Sequence, residues 1–406
     1  MWHSVIIDYL FAMSKLQPLT IYRAASPIHS PEAVERAHSE LLAALSSVFE
    51  ISFLPISQLP LFADHAIIFM ATGGVEESVS RQLAQGSPRR VTLLADGLQN
   101  SLAASLETAA WLNSRSIPVR IIHDTPSRMA SQLAAELADR FAAVKGARIG
   151  LMGPASSWLI ASDIDRETVA RRYGIEFVDI ALSEVEEAFT QAHPADVPDI
   201  YTLPRIEPDD TDIARALRLY AALDSLVERY RLDAFTIRCF DLLTSLHTTG
   251  CLPLALFNAR GIAAGCEGDI PALLTMLCAY RLTGQMGFMA NPSRIDTVAN
   301  TITLAHCTLP MNMAQRNILR SHFESGIGVA IQGIIALGPV TLLKWWGRDM
   351  DRVFCANGQL IENTDNPSMC RTQVTLRLDR PVDTLLTAPL ANHHIILPAS
   401  LPIPLI

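Results

Sequence analysis

Short apolar runs alternate with longer amphipathic segments between residues 20 and 283 of this 406-residue chain. Short apolar runs bounded by turn residues are typical of buried strands, whereas apolar residues spaced three and four apart are typical of helices. Strands that alternate with helices favour a parallel, doubly wound sheet with helices on both faces. A chain of this length suits two or three domains. We therefore predict an α/β fold with two doubly wound, Rossmann-like domains.

The first predicted domain covers residues 1–145. Ser30 as a cap and Pro31 at the first helical position predict a helix that runs to Val48. The Gly73–Gly74 pair either faces a phosphate or forms a simple tight turn. Met1–Gln17 lacks a cationic start and a cleavage site, so we interpret it as a helix rather than a signal peptide. Strands are expected at Thr20–Ala25, Ile51–Leu54, Ala66–Ala71, Val91–Ala95 and Val119–His123, and further helices at Val75–Ala84, Leu98–Ser114 and Ser127–Val144.

The second predicted domain covers residues 146–285 and the third covers residues 286–406. From Thr301 onward strand patterns dominate, and Asn357–Gly358 predicts a hairpin turn between two of them. The third domain is therefore expected to be mostly antiparallel and barrel-like. The main strands expected in these two domains are Arg148–Met152, Ile175–Ile180, Ala234–Phe240, Ile262–Gly265, Met286–Ala290, Thr301–Cys307, Val340–Trp345, Arg352–Ala356, Gln359–Glu362, Gln373–Leu378 and His394–Leu397. Long helices are expected at Asp212–Tyr230 and Ile270–Leu282.

Charge and composition narrow the class of partner. The net charge is −9 and no cluster of Lys and Arg occurs, so neither nucleic acid nor an anionic membrane is an expected partner. No apolar run reaches the roughly 18 residues that a membrane helix needs.

The seven cysteines show no C-x-x-C spacing and lie mostly in apolar surroundings, which predicts reduced core thiols in a cytoplasmic protein. Hydrophobic residues make up 50% of the chain and the mean hydropathy is +0.25, which suggests buried subunit interfaces.

Three polar residues stand where predicted strands end. Glu267 precedes Gly268 after one strand, Asn291 precedes Pro292 after the next, and His306 ends a third. Open α/β sheets place their ligand sites at such strand ends. Carboxylate, amide and imidazole donors brought together there suit a divalent cation.

The sequence blocks around these residues resemble a known family. GCEGD, FMANPSRID, LAHC, CRTQV and ANHH occur in this order, and together they resemble the L-fucose/L-arabinose isomerase superfamily, in its shorter fucose-isomerase-like branch. The resemblance covers roughly residues 146 to 397. It implies a Mn²⁺ centre (Mg²⁺ as the alternative) held by two carboxylates and a histidine, with a second histidine in the arabinose branch. It also implies an open-chain sugar substrate, an enediolate intermediate and a homotrimer or homohexamer.

The resemblance assigns roles to particular residues. Glu267 matches the first carboxylate, against the alternative of a solvated Glu at a strand–helix turn. His306 matches a ligand histidine of the arabinose branch, against a core histidine bonded to backbone. In the pair His393–His394 the second residue matches the C-terminal ligand. Neighbours on a strand point to opposite faces, so His394 is the expected ligand and His393 its alternative. The chain stops soon after His394, so a family helix beyond that point is expected to be missing.

Asn291 departs from the family pattern. The second carboxylate of the family falls at this position, and an amide can bind a cation but cannot take a proton at neutral pH. Asp269 and Asp296 are nearby acids that could substitute, or else either of them is a helix N-terminal charge or a loop charge. We therefore expect an isomerase-like enzyme for a pentose, a 6-deoxyhexose or a derivative, with Glu267 and Asn291 as catalytic residues. The alternatives are a metal-dependent lyase, for which one base suffices, and a catalytically silent sugar-binding protein.

Substrate contacts are expected from two further segments. The turn from Gly153 to Trp158 follows a strand and opens towards a helix, so Ser157 and Trp158 either contact the sugar or act as a cap and a core residue. Arg238 either orients the substrate or forms a structural ion pair with Asp241.

Overall fold

Parallel strands form the first sheet in the order β2-β1-β3-β4-β5, as the alternating pattern predicts. We describe a computed structural model that covers residues 17–399 except 62, 64, 87, 89 and 138–141. The chain divides into two compact units, one up to residue 138 and one from residue 139 onward. The predicted helix at Met1–Gln17 lies almost wholly outside the described residues. The strands of the first unit are β1 (Gln17–Ala24), β2 (Phe49–Pro55), β3 (Ala66–Met70), β4 (Val91–Leu94) and β5 (Val119–Ile122).

Helices cover both faces of this first sheet, which confirms the doubly wound arrangement. Apolar side chains of the helices at 31–37, 39–46 and 126–137 pack on one face, and those of the helices at 76–85 and 101–113 pack on the other. The single helix predicted from Pro31 to Val48 is wrong, because the chain breaks at His38, whose ring bonds Asp96 at 2.6 Å. The helices are α1 (Pro31–Ala37), α2 (Ser39–Ser46), α3 (Glu76–Gln85), α4 (Ser101–Asn113) and α5 (Pro126–Leu137), with 3₁₀ turns at Ile56–Gln58 and Leu98–Asn100.

The second unit opens with another parallel sheet, in the order β7-β6-β8-β9. Its strands are β6 (Arg148–Met152), β7 (Glu176–Ile180), β8 (Ala234–Ile237) and β9 (Ala263–Cys266). Its helices are α6 (Arg166–Tyr173), α7 (Leu182–Gln191), α8 (Pro198–Tyr201), α9 (Asp210–Tyr230), α10 (Asp241–Ser245), α11 (Cys251–Ala259) and α12 (Ile270–Thr283), after a 3₁₀ turn at Ala142–Val144. The chain leaves β6 for β7 on one side and returns to β8 on the other. The ends of β6 and β8 therefore flank a topological switch point, where such sheets bind ligands.

A closed antiparallel barrel follows in the same unit, which confirms the barrel-like prediction. The barrel order is β10-β11-β16-β15-β14-β17, and β12 and β13 form a separate antiparallel pair that the sequence patterns did not indicate. The strands are β10 (Phe288–Asp296), β11 (Thr301–His306), β12 (Ala314–Arg320), β13 (Ala330–Ile335), β14 (Gly338–Trp346), β15 (Arg352–Asn363), β16 (Thr372–Leu378) and β17 (His394–Leu397); a 3₁₀ turn at Met311–Met313 and helix α13 (Thr384–Thr387) lie between them.

The hairpin predicted at Asn357–Gly358 is wrong. Strand β15 runs straight through both residues and pairs with β14 and β16 on its two sides. Gly358 is required for a different reason, because a Cβ at this position would lie 2.4 Å from the carbonyl oxygen of Arg377 on β16. Asn357 Oδ1 accepts a hydrogen bond from Thr341 Oγ1 at 2.7 Å. The Asn357–Gly358 pair, which is typical of a turn, therefore marks a position where two strands of the barrel approach closely.

Helix α12 joins the parallel sheet to the barrel. Its residues from Pro271 to Ala279 are all buried, and they pack against β9 on one side and against β14 and β17 on the other. A helix that is apolar on every side is expected to lie inside a core. The N-terminus of α12 therefore holds the Glu267–Asp269 turn between the sheet and the barrel. No helix in the described part of the chain has the length and hydrophobicity needed to cross a membrane.

Candidate active site

Glu267 lies in a strained turn between β9 and α12. Its φ is +63° and that of Gly268 is +73°, both in the left-handed region. A Cβ on Gly268 would lie 2.6 Å from Cα of Ala155, so only glycine fits there. The turn is tied on both sides, since Glu267 O accepts from Ser156 N at 2.8 Å and Gly268 N donates to Ile237 O at 3.1 Å. A non-glycine residue held at positive φ is often part of a functional site.

The carboxylate of Glu267 is buried, with 6% of the residue exposed. Trp158 Nε1 donates to Oε2 at 2.6 Å, and His393 Nε2 lies 3.5 Å from Oε1. Burial alone raises the pKa of Glu267, but the hydrogen bond and charge of His393, with smaller effects of His306 and Trp158, lower it to about 2. Glu267 is therefore an anion at neutral pH. This disfavours the alternative of a solvated turn residue.

His393 bridges two buried carboxylates. Its Nδ1 lies 2.8 Å from Asp269 Oδ2, while its Nε2 faces Glu267. Burial lowers the pKa of His393, but the hydrogen bonds and charges of Asp269 and Glu267 raise it to about 9. Asp269 also accepts from Ala272 N at 2.9 Å, so the same residue caps α12 and orients the histidine. The sequence left Asp269 as a substitute carboxylate, a helix N-terminal charge or a loop charge, and it did not indicate the histidine partner.

Lys344 supplies a buried cation close to this array. Its Nζ donates to the backbone carbonyl oxygen of His393 at 2.6 Å, and only 1% of the residue is exposed. Burial lowers the pKa of Lys344, and the charge of Asp269 acts in the opposite direction. This lysine lies within an apolar strand, and no sequence motif marked it as part of the site.

The adjacent histidines face different surroundings, as expected for neighbours on a strand. His393 is the one that reaches Glu267. His394 Nδ1 donates to the carbonyl oxygen of Asn392 at 2.8 Å, and its ring lies edge-on to Phe354. Burial first, and then the charge of Lys344, lower the pKa of His394 to about 3. The structure thus brings the alternative residue, His393, to the site and places the His394 ring against Phe354.

Several buried polar atoms at and around this site lack a hydrogen-bond partner among the described residues. They include His393 Nε2, Asn291 Oδ1, Ser156 Oγ and His394 Nε2. A buried polar atom without a partner is costly, so its presence indicates a missing ligand, ion or water. With a pKa of about 9, His393 carries a proton on both ring nitrogens at neutral pH in the metal-free protein. When a cation displaces the proton on Nε2, the Asp269 carboxylate holds the other proton on Nδ1, so Nε2 can bind the cation. Carboxylate–histidine–metal arrangements use this geometry.

His306 lies beside the same histidine. Its ring centroid is 5.4 Å from that of His393, and its Nδ1 bonds Thr308 Oγ1 at 2.9 Å. Burial first, and then the charge of His393, lower the pKa of His306 to about 4, so it is neutral and able to bind a cation. Among the described residues, Cys266, Glu267 and His306 form a group whose potential ligand atoms all lie within 4.8 Å of one another.

A cavity of about 50 Å³ brings these residues together with several thiols. Glu267, Asn291 and His306 all line it. The described cysteines that line it are Cys239, Cys251, Cys266, Cys307 and Cys370. These five cysteines are free, as expected for reduced thiols, but they line the cavity that holds Glu267 and His306 instead of lying only in apolar core. The sequence offered one indication of cysteines at the site, because Cys266 directly precedes Glu267 and Cys307 directly follows His306.

The remaining predicted residues are placed differently. Trp158 is 51% exposed and bonds Glu267, so its ring offers an apolar surface beside the carboxylate. Ser157 is exposed, whereas the buried hydroxyl of this turn belongs to Ser156. Arg238 donates from Nε to both oxygens of Asp241 at 3.0 Å and from Nη1 to the carbonyl oxygen of Ala155 at 2.7 Å. This is the structural ion pair that the sequence left as an alternative.

Asp296 does not lie with the site residues. The strand predicted to end before Asn291 is longer than expected, since β10 continues through Asn291 and Pro292 and pairs both with β11. Asp296 stands five positions beyond Asn291 at the far end of β10, about 16 Å along the strand. Its carboxylate accepts from the backbone N–H groups of Val298 and Ala299 at 3.0 and 2.9 Å. Asp296 is therefore a loop charge, and Asp269 is the nearby acid that joins the candidate site.

Comparison with known proteins connects part of the chain to a sugar isomerase. No protein-family model matches the chain. A segment of 92 residues is 38% identical to sulfoquinovose isomerase of Clostridium sp. (strain MSTE9). The matched segment covers 22% of this chain and 21% of that protein, so the match spans about a fifth of the relative. Over that segment, the chain is similar to an enzyme that isomerises a sugar.

Proposed function

We propose that the protein is a metal-dependent isomerase that interconverts an open-chain aldose and its ketose through an enediolate. The observation that carries the proposal is the Asp269–His393–Glu267 array, together with the unpartnered oxygen of Asn291, which lines the same cavity as Glu267. The partial similarity to a sulfoquinovose isomerase and the resemblance to the fucose and arabinose isomerases both favour isomerisation.

The metal that we propose is Mn²⁺, with Mg²⁺ as the alternative. Glu267, Asn291 and His393 would hold it, and His306 is close enough to contribute a fourth donor. These oxygen and imidazole donors suit Mn²⁺, whereas the neighbouring Cys266 thiol would also suit a softer ion such as Zn²⁺. When bound, the ion would supply Lewis-acid polarisation of the sugar carbonyl and hydroxyl oxygens. Compared with the ligand set expected from the sequence, His393 takes the place of His394.

Glu267 is the residue that we propose moves the proton between the two carbons. It is ionised at neutral pH. Its two oxygens have different partners, since Oε1 faces His393 and Oε2 accepts a hydrogen bond from Trp158. Asn291 orients the substrate and does not exchange protons, since an amide has no basic site at neutral pH. The proton between the two sugar oxygens must then pass through substrate hydroxyls. Trp158 shields the carboxylate and offers its half-exposed ring to the sugar carbons.

The proposed substrates are pentoses, 6-deoxyhexoses and their derivatives, among which a 6-sulfonated hexose has support from the matched relative. We propose a cytoplasmic setting, because free thiols stay reduced there. We also propose a homotrimer or homohexamer, on the basis of the family resemblance and the apolar composition. Light scattering that gives the mass of a monomer at micromolar concentration would contradict this assembly.

One observation favours a second function. With an amide at Asn291, a single carboxylate serves the reaction, and a lyase that cleaves a bond beside an enediolate needs only one base. The two functions give different products, since an isomerase returns a sugar of the same mass and a lyase gives two fragments or releases a leaving group. The third alternative, a silent sugar-binding protein, binds sugar without product.

The test is a product screen on the purified protein loaded with Mn²⁺. Sulfoquinovose, pentoses and 6-deoxyhexoses are incubated in D₂O, and products are followed by NMR and mass spectrometry. We expect one sugar to give its ketose with deuterium incorporated, and Glu267→Gln to abolish the reaction. Glu228→Gln, at an exposed position on α9, is the matched control and should react like the parent. A Glu267→Gln variant that binds metal and reacts like the parent would contradict the proposal.

A further inference from the structure

Two thiols approach each other closely at the wall of the candidate site. Cys239 Sγ lies 2.9 Å from Cys266 Sγ, and both cysteines are free. Cys266 ends β9, and Cys239 follows the neighbouring strand β8 by two residues, where Ile237 pairs with Cys266. The pair therefore lies at the carboxyl ends of two adjacent parallel strands, next to the turn that holds Glu267.

We propose that Cys239 and Cys266 are a site of oxidative modification. The two thiols form a reversible disulfide when the protein reacts with a peroxide. One thiolate attacks a peroxide oxygen, the O–O bond breaks, and a sulfenic acid and one water form. The second thiol attacks the sulfenic sulfur and expels a second water. Two thiols thus lose two protons and two electrons, and hydrogen peroxide becomes two waters. A dithiol reductant reverses the change by thiol–disulfide exchange.

The geometry suits this reaction. A disulfide requires an S–S bond of about 2.05 Å, so the sulfurs need to approach by only about 0.9 Å. The two residues are buried, with 6% and 4% exposed, but both line the cavity that also contains Glu267. That cavity is partly open to solvent, so a peroxide, which is little larger than water, has a route to them.

The disulfide would act on the site through Cys266. This residue directly precedes Glu267, and its own thiol lies within 4.8 Å of the potential ligand atoms of Glu267 and His306. The consequence for turnover rests on the proposed function. Moving Cys266 towards Cys239 shifts the strained Glu267 turn, and displacements below 1 Å are enough to lower a rate by about tenfold or more.

The experiment is peroxide treatment of the full-length protein, followed by alkylation and peptide mapping without reduction. We expect a peptide pair joined through Cys239 and Cys266, a mass loss of about 2 Da from the two departed hydrogens, and full reversal by dithiothreitol. Cys239→Ser should abolish the crosslink. Cys355→Ser changes a buried cysteine on β15 that does not line the cavity, and it should leave the crosslink intact.

Two results would overturn the inference. Separate alkylation of both thiols after peroxide treatment would show that they do not pair, and a crosslink to Cys251, Cys307 or Cys370 would show that a different pair reacts. The peptide map is read on the parent protein and needs no turnover, so it stands if the isomerase proposal fails. If the crosslink forms and turnover is unchanged, the claim that the disulfide regulates the site is wrong.

Discussion

Lys344 donates from its buried Nζ to the backbone carbonyl oxygen of His393 at 2.6 Å, which ties β14 to the residue that enters β17. The contact places a cation beneath Asp269 and His393 without exposing it to the cavity. An ammonium buried in this way needs both its hydrogen bond and a nearby anion to remain charged. The site is therefore supported by a cation that has no direct part in the proposed chemistry.

Replacing Lys344 by Met should destabilise the protein. The side-chain volume is kept, but the hydrogen bond to His393 O and the charge that faces Asp269 are lost. A hydrogen bond to a charged group contributes about 2 kcal/mol, so the free energy of unfolding should fall by that order. Urea denaturation of the parent and the variant measures the change. Lys145→Met, at an exposed lysine, is the control and should change stability by less than about 0.5 kcal/mol.

Stability of the metal-free protein should peak near pH 6.5. Folded His393 has a pKa raised from 6.5 to about 9, so its contribution is complete below pH 6.5 and is lost as pH rises through 9. The pKa values of His306 and His394 are lowered to about 4 and about 3, so their contributions are complete above pH 6.5 and are lost as pH falls through those values.

Urea unfolding in the presence of a chelator, at several pH values between 4 and 9, checks this profile. The depressed pKa of Glu267, about 2 against an ordinary 4.5, adds a further loss only below pH 4.5. His393→Gln should remove the decline on the alkaline side and leave the acid side in place. Stability that stays level or rises from pH 6.5 to 9 would contradict the assignment of a raised pKa to His393.

The two adjacent histidines should differ in their effect on metal binding. His393→Ala removes a nitrogen that faces Glu267, so Mn²⁺ affinity should fall by about 100-fold or more. His394→Ala removes a ring that packs on Phe354, and affinity should change far less. Calorimetric titration of both variants with Mn²⁺ measures the difference. If His394→Ala gives the larger loss, the ligand expected from the family resemblance is the correct one.

The strands and helices that build this site were predictable because their signals are local. The apolar run Ile262–Gly265 and the helical pattern Ile270–Leu282 predicted the elements on both sides of Glu267 to within one residue. The prediction of a hairpin at Asn357–Gly358 was wrong because it also relied on a local pattern. A local pattern does not show that Gly358 is required by a neighbouring strand of the barrel.

The contacts inside the site were not predictable from periodicity. His393 meets Asp269, which is 124 positions away, only because the barrel closes through β17. Lys344 and the clustered thiols depend in the same way on which strands become neighbours. The sequence placed Glu267 and His306 at strand ends, but its placement of Asn291 after a strand was wrong, because β10 continues through that residue. It also could not choose between His393 and His394.

Asn291 provides the sharpest test of the chemistry. Its side-chain oxygen is buried and lacks a partner among the described residues, at the position where the resembling isomerases have a carboxylate. Asn291→Asp would place a second anion beside Glu267, so a divalent cation should bind about tenfold more tightly in this partly buried site. The same change supplies a second base. We therefore expect the variant to gain aldose–ketose exchange relative to the parent.

The measurement is exchange of the C2 proton of pentoses, 6-deoxyhexoses and sulfoquinovose with deuterated water, compared between the parent and Asn291→Asp. Mn²⁺ affinity is measured on the same samples, so that a change in rate can be separated from a change in metal loading. Gln315→Glu, at an exposed position on β12, changes an amide to an acid outside the cavity and controls for added charge. Fast exchange in the parent that Asn291→Asp slows would show that the amide is the right group for the natural reaction. In that case Asn291 orients the substrate by its N–H donors, and the interpretation of this position as a lost base is wrong.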